Sequence, residues 1–167
     1  MNVSSIDLYH VAVPLRRAIK HASHERTVSD NLIVRVTLAD GTTGYGEGVP
    51  RDYVTGETID TAFTMLGRFE LPRYLGSPCD VPTAVRRLDL LLDVREMADS
   101  DADPRGMRGN AARCALEIAV LDAYCRAFGC SLTDALRLAD DPDHVLLPAP
   151  VPVRDSGAIT AETPAKE

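Results

Sequence analysis

Between Ile6 and Pro14 the apolar residues Ile6, Leu8, Ala12 and Pro14 share one parity, broken only by His10, which predicts a half-buried strand. From Leu32 to Leu38 the alternation is stricter. Leu32, Val34, Val36 and Leu38 oppose Ile33, Arg35 and Thr37, and Asp40-Gly41 follows as a hairpin turn. Thr42 to Gly48 makes a short, glycine-rich third strand, ended at Pro50, whose missing N–H cannot join a ladder. Strands in this order with short connections predict a three-stranded antiparallel meander.

After Thr55-Gly56 the period changes from two to 3.6. Ile59, Ala62, Phe63, Leu66 and Phe69 line one helical face, with Thr55 as the expected N-cap. Asp80 caps a second helix, with Pro82 in its first turn and Val85, Leu88, Leu91 and Leu92 inward, running to about Arg95. Ala98 to Gly109 reads as a polar loop. Asn110 is the expected cap of the most strongly patterned element, Ala111 to Phe128, which Gly129 stops. Its small residues, Ala111, Ala115, Ala119 and Ala123 with Cys114 and Cys125, allow close approach by neighbours and predict a buried central helix. Ser131-Leu132-Thr133-Asp134 resembles a capping box opening a last short helix through Leu138.

Strands first and helices after make the fold class α+β: the meander followed by a bundle of three to four helices. One domain is expected over residues 1–140. Residues 141–167 turn to Pro, Ala and Val and then to small polar residues, the composition of a disordered tail. No internal repeat is visible.

Composition narrows the function classes. Hydrophobic residues at 45% and charged residues at 26% exclude neither a core nor solubility, and no apolar run approaches the ~20 residues of a spanning helix. No signal peptide is recognisable at the N-terminus, so a cytoplasmic location without a membrane partner is expected. The net charge of −7 argues against a nucleic-acid partner, which needs clustered Lys and Arg. The four cysteines, Cys79, Cys114, Cys125 and Cys130, form no CxxC pair and are expected as buried thiols, with no zinc site. Charge is uneven, however: residues 16–26 carry Arg16, Arg17, Lys20 and Arg26 against the single acid Glu25.

Gly44-Tyr45-Gly46-Glu47-Gly48 is no dinucleotide fingerprint, because Val49-Pro50 follows where a helix would have to open. The glycines are expected instead to let another backbone approach the strand. Asp99, Asp101 and Asp103 match the first positions of a calcium loop, but Pro104 stands at the required glycine and Asn110 at the required glutamate. No Walker-type loop, HExxH or GxSxG is present, so no residue is assigned as catalytic and none as a metal ligand. What remains is a pair of connections leaving the same meander, Arg16 to Thr27 and Val49 to Glu57, placed to face one ligand.

The order Val13-Pro14-Leu15-Arg16, Leu32-Ile33-Val34-Arg35-Val36, Asp40-Gly41, Gly44-Tyr45-Gly46-Glu47 and Asn110-Ala111-Ala112-Arg113-Cys114-Ala115-Leu116-Glu117-Ile118-Ala119-Val120-Leu121-Asp122 resembles the N-terminal domain of the enolase superfamily, muconate-lactonizing and mandelate-racemase type. The likeness runs from residue 3 to about 138. It implies a capping domain that sits over the mouth of a (β/α)8 barrel, with Arg16 to Thr27 and Val49 to Glu57 as its two specificity loops. Family substrates are mostly carboxylates. The resemblance therefore implies a substrate-binding set of Lys20, His21, His24, Arg26, Arg51 and Tyr53, with Arg16 and Arg17 nearby, the cations suited to an anion and Tyr53 to a ring wall.

The barrel itself needs ~250 residues and only 27 follow Asp140. Val145 to Val153 reads as the lead into a first barrel strand. The family's Mg²⁺ is thus expected only in a barrel that this chain lacks, and no cofactor is expected here. The leading expectation is a capping domain cut from its barrel by truncation or frameshift and inactive alone, whose parent chemistry is Mg-assisted proton abstraction next to a carboxylate in an isomerase or lyase. The alternatives are a split-enzyme subunit completed by a separate barrel chain, and a non-catalytic ligand-binding or interaction module. Exposed apolar surface on the meander implies self-association in either case.

Overall fold

The strict alternation of Leu32, Val34, Val36 and Leu38 places all four side chains on one face of a sheet, each at most 1% exposed. A computed structural model of the chain describes residues 1–21, 24–68, 70, 73, 75–92 and 109–137. Its strands are β1 (Val3–His21), β2 (His24–Leu38) and β3 (Thr43–Gly48), in the order β1-β2-β3 and antiparallel throughout. This is the expected meander. The helices among the described residues are α1 (Ile59–Leu66), α2 (Val81–Leu92), α3 (Asn110–Phe128) and α4 (Leu132–Arg137).

Two strand boundaries differ from the expectation. β1 does not end at Pro14, and Arg16 to Thr27 is not a loop: the strands run on as a two-stranded ribbon pairing Ile19 with Arg26, Lys20 with Glu25 and His21 with His24. One register shift between Pro14 and Ile19 interrupts the ladder. Period-two hydrophobicity reports which face is buried, and most of the described ribbon residues are exposed. Its strand character therefore left no alternation to read.

The glycine-rich strand explains the position of the central helix. A Cβ on Gly46 would lie 1.9 Å from the Ala115 carbonyl oxygen, and one on Gly44 2.1 Å from the Ala123 amide nitrogen. Only glycine permits that approach, so α3 rests directly on β3, backbone to backbone. The other flank of α3 buries Leu116, Val120 and Tyr124 in the core with β2, α1 and α2. The Tyr124 hydroxyl donates to the Met1 carbonyl at 2.9 Å, which ties the N-terminus to this helix.

Several caps are as read, and two are not. The Asp80 carboxylate accepts from the Thr83 amide at 2.8 Å, Gly129 ends α3 in the left-handed region at φ 67°, and Ser131 and Asp134 bond each other reciprocally. The N-cap of α1, however, is Thr58 in a capping box with Thr61, not Thr55. Asn110 lies inside α3, and the N-cap is Gly109 at φ 88° with no side-chain bond. The first amides of α3 are instead capped from a distance. Glu57, 1% exposed, accepts from Ala111 N at 3.0 Å and Ala112 N at 3.1 Å. The negative carboxylate at a helix N-terminus satisfies both orphan donors and opposes the positive end of the dipole.

The expectation of four buried thiols holds for Cys125 alone. Cys79 and Cys114 are exposed and Cys130 is half-buried. Burial pushes the Cys125 thiol up to about 12, with its bond to Cys130 adding to the rise. Phe69, the calcium-like stretch 99–103, the end of the second helix near Arg95 and the stretch 141–167 lie outside the described residues.

Candidate functional site

The face of β2 that carries Leu32 to Leu38 continues toward its start as Asp30, Val28, Arg26 and His24, the same parity with polar residues at all positions but Val28. Where α3 no longer covers it, this face forms one wall of an open cleft of about 410 Å³. His10, from the matching parity of β1, completes that wall, and its Nε2 lies 2.7 Å from Asp30 Oδ1.

The opposite wall is the segment from Pro50 to Asp60. Its first part is a tight turn. The Arg51 carbonyl accepts from the amides of Val54, Thr55 and Gly56 at 3.0, 2.8 and 3.2 Å, and from the Thr55 hydroxyl at 3.2 Å. Gly56, at φ 73°, provides the left-handed residue that closes the turn. Four bonds converging on one carbonyl make this segment a preformed knob. Tyr53 projects from it and stacks on His24 across the cleft, ring centroids 4.4 Å apart and planes 21° apart. At the base, Glu57 joins the knob to the first turn of α3 through the two amide bonds already described.

Charge in the cleft is mixed, but most of its acids are engaged. Asp30 is paired with His10, Asp52 Oδ1 accepts from the Tyr53 amide at 2.7 Å, and both Glu57 oxygens hold helix amides. Arg51 differs: its Nε is buried and has no hydrogen-bond partner among the described residues. A buried donor left without an acceptor costs ~1–3 kcal/mol, which sets Arg51 apart from the other charged groups of the cleft.

Of the six side chains singled out from the sequence, His24, Arg26, Arg51 and Tyr53 come together around this cleft. Lys20 does not line it. It stands on the ribbon, 71% exposed, and pairs with Glu25 at 3.6 Å. The side chain of His21 lies outside the described residues. Sequence reasoning missed His10, Asp30 and Glu57. The parity of β2 carried a signal for Asp30, since it falls on the buried set two residues before Leu32. Nothing local pointed to Glu57, whose partners lie more than 50 residues away.

Among the described residues no group of three or more His, Cys, Asp or Glu side chains is arranged to hold a metal ion. No described helix is long and apolar enough to cross a membrane.

The chain is 31% identical over 138 residues to an o-succinylbenzoate synthase from Bacillus subtilis, covering 81% of this chain and 33% of the relative. It is 34% identical over 126 residues to an aromatic dipeptide epimerase from Herpetosiphon aurantiacus, covering 75% of this chain and 32% of that protein. A crystal structure of a mandelate racemase/muconate lactonizing protein from Herpetosiphon aurantiacus superposes with a TM-score of 0.56 at 30% identity, over 75% of this chain and 31% of that one. The chain is an N-terminal domain of the enolase superfamily, mandelate racemase and muconate-lactonizing type.

No protein-family model matches it. The chain spans about a third of the length of the curated relatives it matches. Within that third it holds the α+β part, a sheet with helices, and the cleft draws only partly on the two segments expected as specificity loops: His24 and Arg26 come from the first and Arg51 and Tyr53 from the second, whereas His10, Val28 and Asp30 belong to neither.

Proposed function

We propose that this domain selects the substrate of a muconate-lactonizing or mandelate-racemase-like enzyme and performs no chemistry alone. The reacting groups of the parent reaction, which removes a proton next to a carboxylate with the help of Mg²⁺, belong to a barrel whose mouth this domain caps. The described residues do not suit Mg²⁺, because the cleft carboxylates of Glu57 and Asp30 are already held by helix amides and by His10. The task left to them is recognition.

The observation that carries this reading is Arg51, with a buried, unpartnered Nε on a rigid turn beside the open cleft. A carboxylate would satisfy that donor with a charge-assisted bond, and Arg26 on the facing wall adds a second cation. The Tyr53–His24 ring pair offers a flat surface for the rest of the molecule.

Titration of the chain with N-acyl amino acids and dipeptides, followed by the NMR signal of the Arg51 side-chain Nε–H, tests it. A downfield shift with the free carboxylates, lost with their methyl esters and in Arg51→Met but kept in Lys20→Met, is the expected result. Equal response to acids and esters, or turnover of any of them by the chain alone with Mg²⁺, would overturn the reading.

A further inference from the structure

The sheet has two edges, and among the described residues only one is covered. On β3 the amide of Tyr45 turns away from the sheet and donates to Asp122 Oδ2 of α3 at 2.9 Å, so the helix covers that edge. β1 forms the other edge, and among the described residues it packs extensively against β2 alone.

The register determines what this edge offers. Because Tyr45 points outward opposite Arg35, the backbone of Arg35 turns toward β1 and bonds Asp7. Tyr9, Val11 and Val13 follow Asp7 at two-residue steps and also bond β2. The amides and carbonyls of Leu8, His10 and Ala12 therefore point away from β2, where no described strand pairs with them. Pro14 agrees with this assignment: it lies on the outward set, where its missing N–H breaks no bond to β2.

The stretch lacks the usual protection of a free edge. Tyr9, Val11 and Val13 are 39%, 41% and 43% exposed on the outer face of the sheet. The polar side chains nearby are engaged within the domain, Asp7 with Arg35 at 3.0 Å and His10 with Asp30 at 2.7 Å. From Leu8 to Pro14 the strand therefore carries no Asp, Glu, Lys or Arg to repel an identical stretch; Arg16, Arg17 and Lys20 lie beyond it, and the whole chain carries −7.

We propose that β1 pairs with β1 of a second copy of this chain, antiparallel about a twofold axis at Val11, to give one six-stranded sheet. In this register Val11 faces Val11 of the second copy and Tyr9 faces its Val13. On the other face His10 stands opposite Ala12, and Leu8 opposite Pro14, which uses only its carbonyl. Apolar side chains meet apolar side chains across three successive pairs, whereas a shift that centres the axis on His10 sets Val13 against Asp7 and His10 against itself. A twofold interface of this kind closes on itself and leaves each cleft open on the face of the sheet, with His10 the one cleft residue that the edge strand supplies.

Sedimentation velocity of the full chain is expected to give twice the chain mass of 18.1 kDa. Ala12→Pro removes an outward amide and Val11→Lys places like charges together at the axis. Both are expected to raise the dimer dissociation constant about tenfold or more, with circular dichroism unchanged. Under oxidised glutathione, Val11→Cys is expected to form a disulfide-linked dimer, and Val13→Cys and the parent chain none. A monomeric parent at every concentration, a dimer that survives both substitutions, or equal cross-linking of Val13→Cys would overturn the proposal.

Discussion

One face of one strand is put to two uses. From Leu32 to Leu38, β2 lies under helices and buries every second side chain almost completely. From His24 to Asp30 the same face, in the same parity, carries a histidine, an arginine, a valine and an aspartate around an open cleft. The difference comes from β3. It pairs with β2 only as far as Leu32, where Gly48 is the last partner, and its glycines are what allow α3 to come down on the sheet. Where the glycine strand ends, the cover ends, and the remaining face is free to meet a ligand.

Breaking the covered half has the largest expected effect. Gly46→Ala drives a methyl group into the Ala115 carbonyl, where the contact is backbone and cannot rotate away. A loss of about 3 kcal/mol or more in urea unfolding is expected. Gly41→Ala, at φ 87° with nothing within 4 Å, is the contrast and costs about 1 kcal/mol from backbone strain alone.

Glu57 joins the two halves, because it lines the cleft and caps the helix. Glu57→Ala leaves the first amides of α3 without their acceptor and is expected to cost about 2 kcal/mol. It also frees the Arg51–Gly56 knob from the helix, so amide hydrogen exchange in residues 51–56 should rise more than in β2. Equal acceleration in both would show that the two halves unfold as one.

Within the covered half, Tyr124 gives a pH signature. Burial pushes its phenol from 10.0 up to about 12, with Arg87 opposing the rise. The group is raised in the folded state, so its contribution is complete below pH 10 and is lost as the pH rises from 10 toward 12. Tyr124→Phe is expected to flatten the fall of the urea midpoint in that window and, by losing the bond to Met1, to cost about 1 kcal/mol at pH 7.

The smallest effect belongs to the open half. Lys20 and Glu25 form a surface pair on a solvated ribbon, and Lys20→Met is expected to change stability by less than about 0.5 kcal/mol. A larger loss would mean that the ribbon is more tightly coupled to the core than its exposure indicates.

Much of the covered half was legible in the sequence. The Leu32–Leu38 alternation, the Asp40-Gly41 turn, the glycine spacing of 44–48 and the Gly129 stop each state a local backbone requirement. The open half was legible in part. Arg26, Arg51, His24 and Tyr53 were recognisable as a group only through the order of motifs along the chain, and Lys20 was grouped with them although it does not line the cleft. The ribbon was taken for a loop because a strand exposed on both faces leaves no hydrophobic period.

The sequence by itself determined the elements, their order and the face each one buries, because periodicity, turn residues and caps act over a few neighbouring residues. Only the tertiary structure decided which groups are already satisfied. The Glu57 carboxylate belongs to amides 54 and 55 residues away, His10 to Asp30 across the ribbon, and the Tyr45 amide to Asp122 on the central helix. Hydrogen-bond partners at that separation leave no spacing in the chain. They are chosen when the sheet and helices pack, and among the described residues that packing leaves the Arg51 Nε without an acceptor and one edge of the sheet uncovered.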